Sequence, residues 1–332
     1  VTASDMSPAD WSAETAHEWC PPGHGDLYPA MLGSGTLEKL LKKGFSARSQ
    51  HYRLVLGELC YRYMFVSNSD NLGATMDLKI LTHFVHSGAP FMMEVAERTD
   101  ADKKGGHLAV DKASGGLLLR ESAQCPDEDE KEFQNVAKYK FFNTNNLWVD
   151  LVALKREFRR NDGALPLPVM KNSKTVDPRD KASTKVLQLE TAMGAAIQCF
   201  QGASALVIPR SRFAPVKTTN DLLALRSDAY KLTEDFRIVL APEREGVPPD
   251  VKLDGMYKFT APWQRSEFPD AMEKLIPNGP PSLINCKKLV VEGQGSRDGA
   301  RRLRQIPYNP IISGIILCAM PFADQVPLGR HP

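Results

Sequence analysis

Phe65-Val66-Ser67-Asn68-Ser69-Asp70-Asn71-Leu72-Gly73 is the stretch on which the fold reading turns. Its apolar start reads as a buried strand. The run stops at small polar residues and a single carboxylate, and a helical pattern follows. In open α/β sheets, ligands bind beyond the carboxyl ends of the strands. Asp70 beside Asn68 and Ser69 suits a magnesium-bound phosphate there. Mg²⁺ is a hard cation that takes one or two carboxylates and completes its shell with phosphate oxygens and water. The same Asp also reads as an ordinary helix N-cap, so the choice between the two rests on other segments.

Two such segments stand out. In Pro21-Pro22-Gly23-His24-Gly25-Asp26 the prolines stiffen the approach, and the glycines let backbone come close to a ligand around His24. Taken alone, it is also an ordinary tight turn. Pro209-Arg210-Ser211-Arg212-Phe213-Ala214-Pro215-Val216-Lys217-Thr218-Thr219-Asn220-Asp221 places three cations in a proline-punctuated loop before the apolar Leu222 to Leu225. Such a loop reaches over an anionic ligand or stands as a solvated basic surface.

Bulk composition narrows the class. A chain of 332 residues holds one large or two modest domains. Hydrophobic content of 42% and charged content of 25% are ordinary for a globular protein. The 42 cations and 40 anions leave a net charge of +2, which gives no argument for a nucleic-acid partner. Among the six cysteines there is no Cys-x-x-Cys pair and no zinc-ligand spacing with His. Reduced thiols and a cytoplasmic location are expected. The apolar run Ile315 to Met320 is far shorter than the ~20 residues of a membrane helix, so no membrane association is expected.

Along the chain, strand and helix patterns alternate. Leu37, Leu40 and Leu41 follow a helical spacing over Thr36 to Lys43, which Gly44 would end. Helices are predicted over Ala74 to His86, Asp127 to Lys138, Trp148 to Phe158 and Glu190 to Phe200. Strands are predicted over Phe91 to Val95 and Ala205 to Ile208, with a hairpin from Gly106 to Val110 and Leu117 to Glu121. His107 is expected to start a strand, His83 and His86 to lie at the surface, and Trp148 to pack in the core. The alternation argues for a three-layer α/β domain, placed at residues 1–240 and followed by a linker containing Pro242, Pro248 and Pro249.

Together and in this order, the quoted segments closely resemble the eukaryotic UTP–glucose-1-phosphate uridylyltransferase (UDP-glucose pyrophosphorylase) family. Further agreement comes from Glu97-Arg98-Thr99-Asp100-Ala101-Asp102-Lys103-Lys104-Gly105-Gly106-His107-Leu108, Phe141-Phe142-Asn143-Thr144-Asn145-Asn146-Leu147-Trp148 and Gln188-Leu189-Glu190-Thr191-Ala192-Met193-Gly194-Ala195-Ala196. The likeness runs from about Trp19 to about Gly293. It implies a nucleotide-diphospho-sugar transferase (Rossmann-like) domain with a mixed sheet. Residues 241–293 would then form a linker and the truncated start of a left-handed β-helix, Ile284 to Gly293, with 294–332 a divergent tail.

The resemblance implies reversible uridylyl transfer from UTP to glucose 1-phosphate, giving UDP-glucose and pyrophosphate, a step of carbohydrate metabolism. Asp70 would hold Mg²⁺, and Lys217 matches the lysine treated as catalytic. Gly23 and His24 match positions contacting nucleotide and sugar phosphate, and Asn68 matches a ligand-contacting Asn. Arg210 and Arg212 would grip phosphate or pair with structural carboxylates. A neutral, hydroxyl-rich hexose needs amides, carboxylates and close backbone. Gly105, Gly106, Glu121, Asn143 and Asn145 meet that demand, although either Asn also suits a turn.

Besides the divergent tail, the chain departs from the family pattern in two places. It begins at Val1 without the family's glycine-rich Leu-Asn-Gly-Gly-Leu-Gly loop, so an incomplete catalytic body is expected. Residues 46–61 interrupt a junction that is short in the family, either as a lineage-specific surface loop or as translated intron. Long surface insertions cost roughly 0.6 kcal/mol per doubling of loop length, so folding is expected to survive. Two other functions stay open at this point: a catalytically dead sugar-nucleotide-binding fragment, and a UDP-N-acetylhexosamine pyrophosphorylase. A homo-oligomer is likewise left open.

Overall fold

Side chains along a strand alternate between its two faces, and here that alternation sorts the apolar residues into two layers around one sheet. The strands are β1 (Tyr63–Val66), β2 (Phe91–Glu97), β3 (His107–Val110), β4 (Leu117–Arg120), β5 (Phe141–Asp150), β6 (Val169–Thr175), β7 (Lys185–Thr191) and β8 (Ser204–Val207). The helices are α1 (Leu27–Gly33), α2 (Thr36–Lys43), α3 (Leu78–Ser87), α4 (Glu130–Phe133), α5 (Leu151–Arg160) and α6 (Thr219–Arg226). Phe91, Met93 and Val95 of β2, Leu147 and Val149 of β5, and Met64 and Val66 of β1 meet Tyr28, Leu37, Leu154 and Phe158 from α1, α2 and α5. Met92, Trp148, Tyr63 and Phe65 turn the other way, against Phe84 of α3. Helices thus cover both faces of the sheet.

The sheet order is β4-β3-β5-β2-β8, with β1 also on β5. β5 pairs antiparallel with β1, β2 and β3, while β2 and β8 run parallel, so the sheet is mixed. β6 and β7 form a separate antiparallel pair. The computed structural model describes residues 7, 22–43, 62–99, 102–103, 105–176, 182–253, 279–292 and 302–307. The insertion at 46–61 and most of the tail lie outside them.

The chain divides into two compact units. One is Val1–Asn68 with Met76–Pro209, which holds the sheet above, and the other is Ser69–Thr75 with Arg210–Pro332. The second unit has its own core, in which Leu223 and Ala224 of α6 meet Ala229, Val251, Leu283, Cys286 and Leu289. Its strands are β9 (Tyr230–Leu232), β10 (Ile238–Leu240), β11 (Asp250–Leu253), β12 (Cys286–Glu292) and β13 (Arg302–Pro307). β9 and β10 form a hairpin; β12 lies parallel to β11 and antiparallel to β13.

Several elements differ from their sequence patterns, each for a physical reason. β1 is half-buried throughout rather than buried. α3 starts at Leu78, not Ala74, because the Asp77 carboxylate accepts from the amides of Lys79 and Ile80 and so caps it there. β5 runs on to Asp150, so the helical stretch predicted from Trp148 starts only at Leu151, where Asp150 accepts from Val152 and Ala153. The helix predicted over 127–138 shrinks to a 3₁₀ turn at Asp127–Asp129 and the single turn of α4. The Arg98 guanidinium takes the Phe133 carbonyl and the Asn135 side chain takes the Lys138 amide, so the backbone groups that would carry the helix onward are bonded elsewhere. The helix predicted over 190–200 is the end of β7 followed by tight 3₁₀ turns at Met193–Cys199. The Tyr28 hydroxyl and the His24 ring take the Met193 carbonyl and amide that an α-helix would use.

His107 does start a strand, and it is fully buried there. Its ring stacks on Tyr139 at 4.2 Å and abuts Phe133 at 4.5 Å. Nδ1 lies 3.3 Å from Arg98 Nη1; a guanidinium can only donate, so the neutral ring carries its proton on Nε2. Burial, and then Arg98 and Arg120, push the His107 pKa down from 6.5 to about 4. Between those values the unfolded chain takes up a proton that the folded chain refuses. Stability is therefore full above pH ~6.5 and is lost as pH falls toward 4. Denaturant midpoints at pH 7 and pH 5 check this: the parent should lose more on acidification than His107→Gln, and equal losses would refute it.

Candidate active site

The first group of site residues is assembled at the end of β7. The Thr191 amide donates to the Pro22 carbonyl at 3.1 Å, which fastens the Pro22-Gly23-His24-Gly25 loop to the strand. Gly23 has φ +87, and a Cβ there would lie 2.6 Å from Glu190 Cβ. Gly25 is buried, and a Cβ on it would overlap the Thr191 side chain. Both glycines are thus set by close backbone approach. His24 is exposed, and its Nδ1 accepts from the Met193 amide at 2.8 Å. The neutral imidazole then holds its proton at Nε2, which makes that edge a donor.

A second group continues from Met193. The next residue, Gly194, lies so close to β5 that a Cβ would sit 2.6 Å from Asn143 Nδ2 and 3.1 Å from Asn145 Oδ1. The two asparagines hold each other: Asn143 Nδ2 donates to Asn145 Oδ1 at 2.7 Å, and the Asn145 amide donates to Asn143 Oδ1 at 2.7 Å. Asn145 sits at φ +58, on the stretch of β5 where its pairing with β2 slips between Glu94 and Val95. Such bulges re-aim side chains. The Asn143 amide donates to the Gly106 carbonyl at 3.1 Å. The Glu121 carboxylate lies against Gly106, 2.5 Å from where a Cβ would stand. Gly105 closes a turn onto the Asp102 carbonyl at 2.9 Å. Gly23, His24, Gly106, Glu121, Asn143 and Asn145 are therefore linked through contacts within one unit. Asn68 is half-buried, two residues beyond β1.

Asp70 and Lys217 belong to the other unit. The Val216 amide donates to the Asp70 carbonyl at 2.9 Å, the Leu72 amide donates to the Ala214 carbonyl at 3.1 Å, and Asn71 bridges Pro215. This short antiparallel seam puts Lys217 directly after the residue bonded to Asp70. Asp70 Oδ1 is buried and has no hydrogen-bond partner among the described residues. Lys217 is exposed, with no ion pair among the described residues. Its backbone is fixed by Asp221, whose Oδ2 accepts from the amides of Lys217 at 3.0 Å and Thr218 at 2.8 Å. The same carboxylate closes the capping box that starts α6. Arg212 is buried and donates to the Thr75 carbonyl at 2.9 Å, while the Arg210 guanidinium lies 5.6 Å from the Phe213 ring.

Thr191, Met193, Gly194 and Asp221 were not singled out from the sequence. A glycine in the otherwise helix-forming Ala192 to Ala196 was the available signal for close approach at Gly194. Thr218 three residues before Asp221 was the signal for the capping box.

A mixed sheet flanked by helices, with glycines and amides gathered at its loops, is consistent with the fold of a nucleotide-sugar transferase. The family model for UTP–glucose-1-phosphate uridylyltransferase matches residues 1–297, and the chain belongs to this family. The UTP–glucose-1-phosphate uridylyltransferase of Solanum tuberosum is 42% identical over 295 residues, covering 88% of this chain and 54% of the relative. That of Saccharomyces cerevisiae is 45% identical over 240 residues, covering 72% and 44%. Among solved structures, a UDP-glucose phosphorylase from Trypanosoma brucei matches with TM-score 0.73 and 50% identity over 87% of this chain and 57% of that one. A Leishmania major UDP-glucose pyrophosphorylase in complex with UDP-glucose matches with TM-score 0.73 and 50% identity over 88% and 58%. The chain spans about half the length of the curated relatives it matches.

The close approach at Gly25 is directly testable. Gly25→Ala should destabilise by about 1–3 kcal/mol, the usual cost of overpacking. Gly33→Ala, where a Cβ would meet nothing within 4 Å, should change stability by no more than about 0.5 kcal/mol. Thermal or urea unfolding of the two variants checks the contrast; similar losses would contradict the packing described here.

Proposed function

We propose that this chain transfers a uridylyl group from UTP to glucose 1-phosphate, giving UDP-glucose and pyrophosphate, with Mg²⁺ as cofactor. The observation that carries the reading is the seam that holds Asp70 and Lys217 on adjoining loops. A phosphate oxygen of the sugar phosphate attacks the α-phosphorus of UTP as pyrophosphate departs. That oxygen is already an adequate nucleophile, so the protein needs no Ser or Cys nucleophile. Positioning and neutralisation of charge remain its tasks.

Each task falls to a named group. The Lys217 ammonium is a compact cation for phosphate oxygens. His24 Nε2 donates to a phosphate oxygen, and Gly23 lets the nucleotide lie against the main chain. Asn68 adds an amide beside the nucleotide phosphates, and Arg210 adds positive charge to its loop. Gly105, Gly106, Glu121, Asn143 and Asn145 read the hexose hydroxyls. Arg212, turned to Thr75, orders its own loop.

The donor set fits Mg²⁺. Among the described residues no cluster of three or more His, Cys, Asp or Glu could hold an ion alone, whereas Asp70 Oδ1 is buried without a partner. One carboxylate completed by phosphate and water is a normal Mg²⁺ site. Asp70 would hold the ion, whose contribution when bound is Lewis-acid neutralisation of phosphate oxygens.

Two further proposals attach to this reading. The parallel pairing of β12 with β11 supports the truncated start of a β-helix near Ile284, which the antiparallel β13 does not continue. The free thiols of Cys125 and Cys199 support a reducing, cytoplasmic setting; no described helix is long and apolar enough to cross a membrane.

Pyrophosphate release from UTP and glucose 1-phosphate with Mg²⁺ tests the proposal, beside a parallel assay with N-acetylglucosamine 1-phosphate. Turnover should favour glucose 1-phosphate. Lys217→Met should lower kcat/KM by about 10²–10³-fold, and Gly194→Ala, by displacing the Asn143 amide, should weaken UDP-glucose binding. A chain with neither turnover nor calorimetric UDP-glucose binding would end the proposal.

A further inference from the structure

We propose that Asn71 is a positioning residue, whose side-chain amide locks the Asp70 loop to the Lys217 loop so that carboxylate and ammonium are held in one fixed register. The inference rests on the reading of Asp70 and Lys217 given above. It goes beyond it by naming what makes the pair a preorganised one.

The main chain alone joins these loops weakly. Asn71 and Pro215 face each other as a wide antiparallel pair, in which neither donates to the other. The flanking bonds, Val216 to Asp70 and Leu72 to Ala214, are the only rungs of the bridge among the described residues. Two rungs from a two-residue ladder would fray readily in water.

The Asn71 side chain supplies what the ladder lacks. It is 4% exposed. Its Oδ1 accepts from the Ala214 amide at 2.8 Å and from the Gly73 amide at 3.2 Å. Its Nδ2 donates to the Arg212 carbonyl at 3.2 Å. One planar amide thus ties two backbone groups of the 210–217 loop and one of its own loop. Gly73 lets the loops meet: a Cβ there would stand 2.6 Å from the Ser211 carbonyl oxygen and 2.9 Å from the Phe213 amide nitrogen. Arg212, reaching back to the Thr75 carbonyl and hydroxyl, fastens the far end of the same loop. Asn71 touches no substrate in this scheme. It acts through its neighbour, because the residue before it carries the metal carboxylate.

Removing the amide leaves buried backbone groups unpaired and frees the Asp70 loop to shift against Lys217. A carboxylate and a cation on loops that drift bind a metal–triphosphate more weakly than a preorganised pair does. A generic loss of stability in the same unit would not have that effect.

The test uses the chain with Mn²⁺ and UTP, read by electron paramagnetic resonance titration, together with amide hydrogen exchange in the absence of ligand. Asn71→Ala should weaken Mn²⁺ binding in the presence of UTP by about tenfold. It should also speed exchange at the Leu72 and Val216 amides. Val251→Ala, a core truncation elsewhere in the same unit, should leave both readouts at parental values. Asp70→Asn separates the two layers of inference. If it leaves Mn²⁺ affinity unchanged, the assignment of Asp70 fails; if it weakens binding while Asn71→Ala does not, the role of Asn71 alone is overturned. Should Asn71→Ala fail to fold, exchange in the parent decides. The Ala214 and Gly73 amides should then be protected as strongly as Leu72 and Val216, and free exchange at Ala214 would refute the lock.

Discussion

β5 is hydrogen-bonded along both edges, and most of the first unit follows from that constraint. With β2 on one side and β1 and β3 on the other, its register cannot slip without turning every core side chain to the wrong face. That fixed register sends Leu147 and Val149 to one hydrophobic layer and Trp148 to the other. It also anchors the slip in pairing near Asn143 to Asn146, where the mutually bonded asparagines face Gly194. Trp148 and Asn146 donate to the buried Glu94 carboxylate on the neighbouring strand, so the polar core of the sheet is tied to the same register. The amide pair proposed for sugar recognition is therefore presented by a strand paired along both edges.

The cations divide their labour by chemistry. Arg98 donates to the carbonyls of Phe133, Tyr139, Asp102 and Lys103, and thereby orders the turn that leads to Gly105 and Gly106. Arg244, fully buried, gathers the carbonyls of Val247, Leu283, Ile284 and Cys286 in the second unit. A planar fork of five donors suits that work. Lys217 instead stands exposed on a backbone pinned by Asp221. The near-zero net charge of +2 conceals this arrangement, since what matters is which cations the fold has already consumed.

What was legible in the sequence was local. Asp70, His24 with its glycines, and Lys217 sit in short segments whose proline and glycine content marks loops, and the hairpin of β3 and β4 follows from adjacent runs. Two of the misread elements were settled at long range. Tyr28 and His24 capture Met193 from 165 and 169 residues away, and no window around Ala192 to Ala196 contains that information. The extension of β5 through Trp148 to Asp150 depends on pairing with β1, whose sequence lies far upstream. Asp77 rather than an earlier residue starts α3 because its carboxylate finds two amides, a choice of cap that composition alone leaves open.

The loop from Ser69 to Thr75 is an excursion: the chain leaves one compact unit, joins the other, and returns to begin α3. Its closest partners sit up to 143 positions further along the polypeptide. Lengthening or shortening either strip by one residue would misalign the other, so the two strips can drift over evolutionary time only as a matched couple. A graft of the Asp70 segment into a related scaffold should accordingly succeed only when the stretch from Arg210 to Lys217 travels with it.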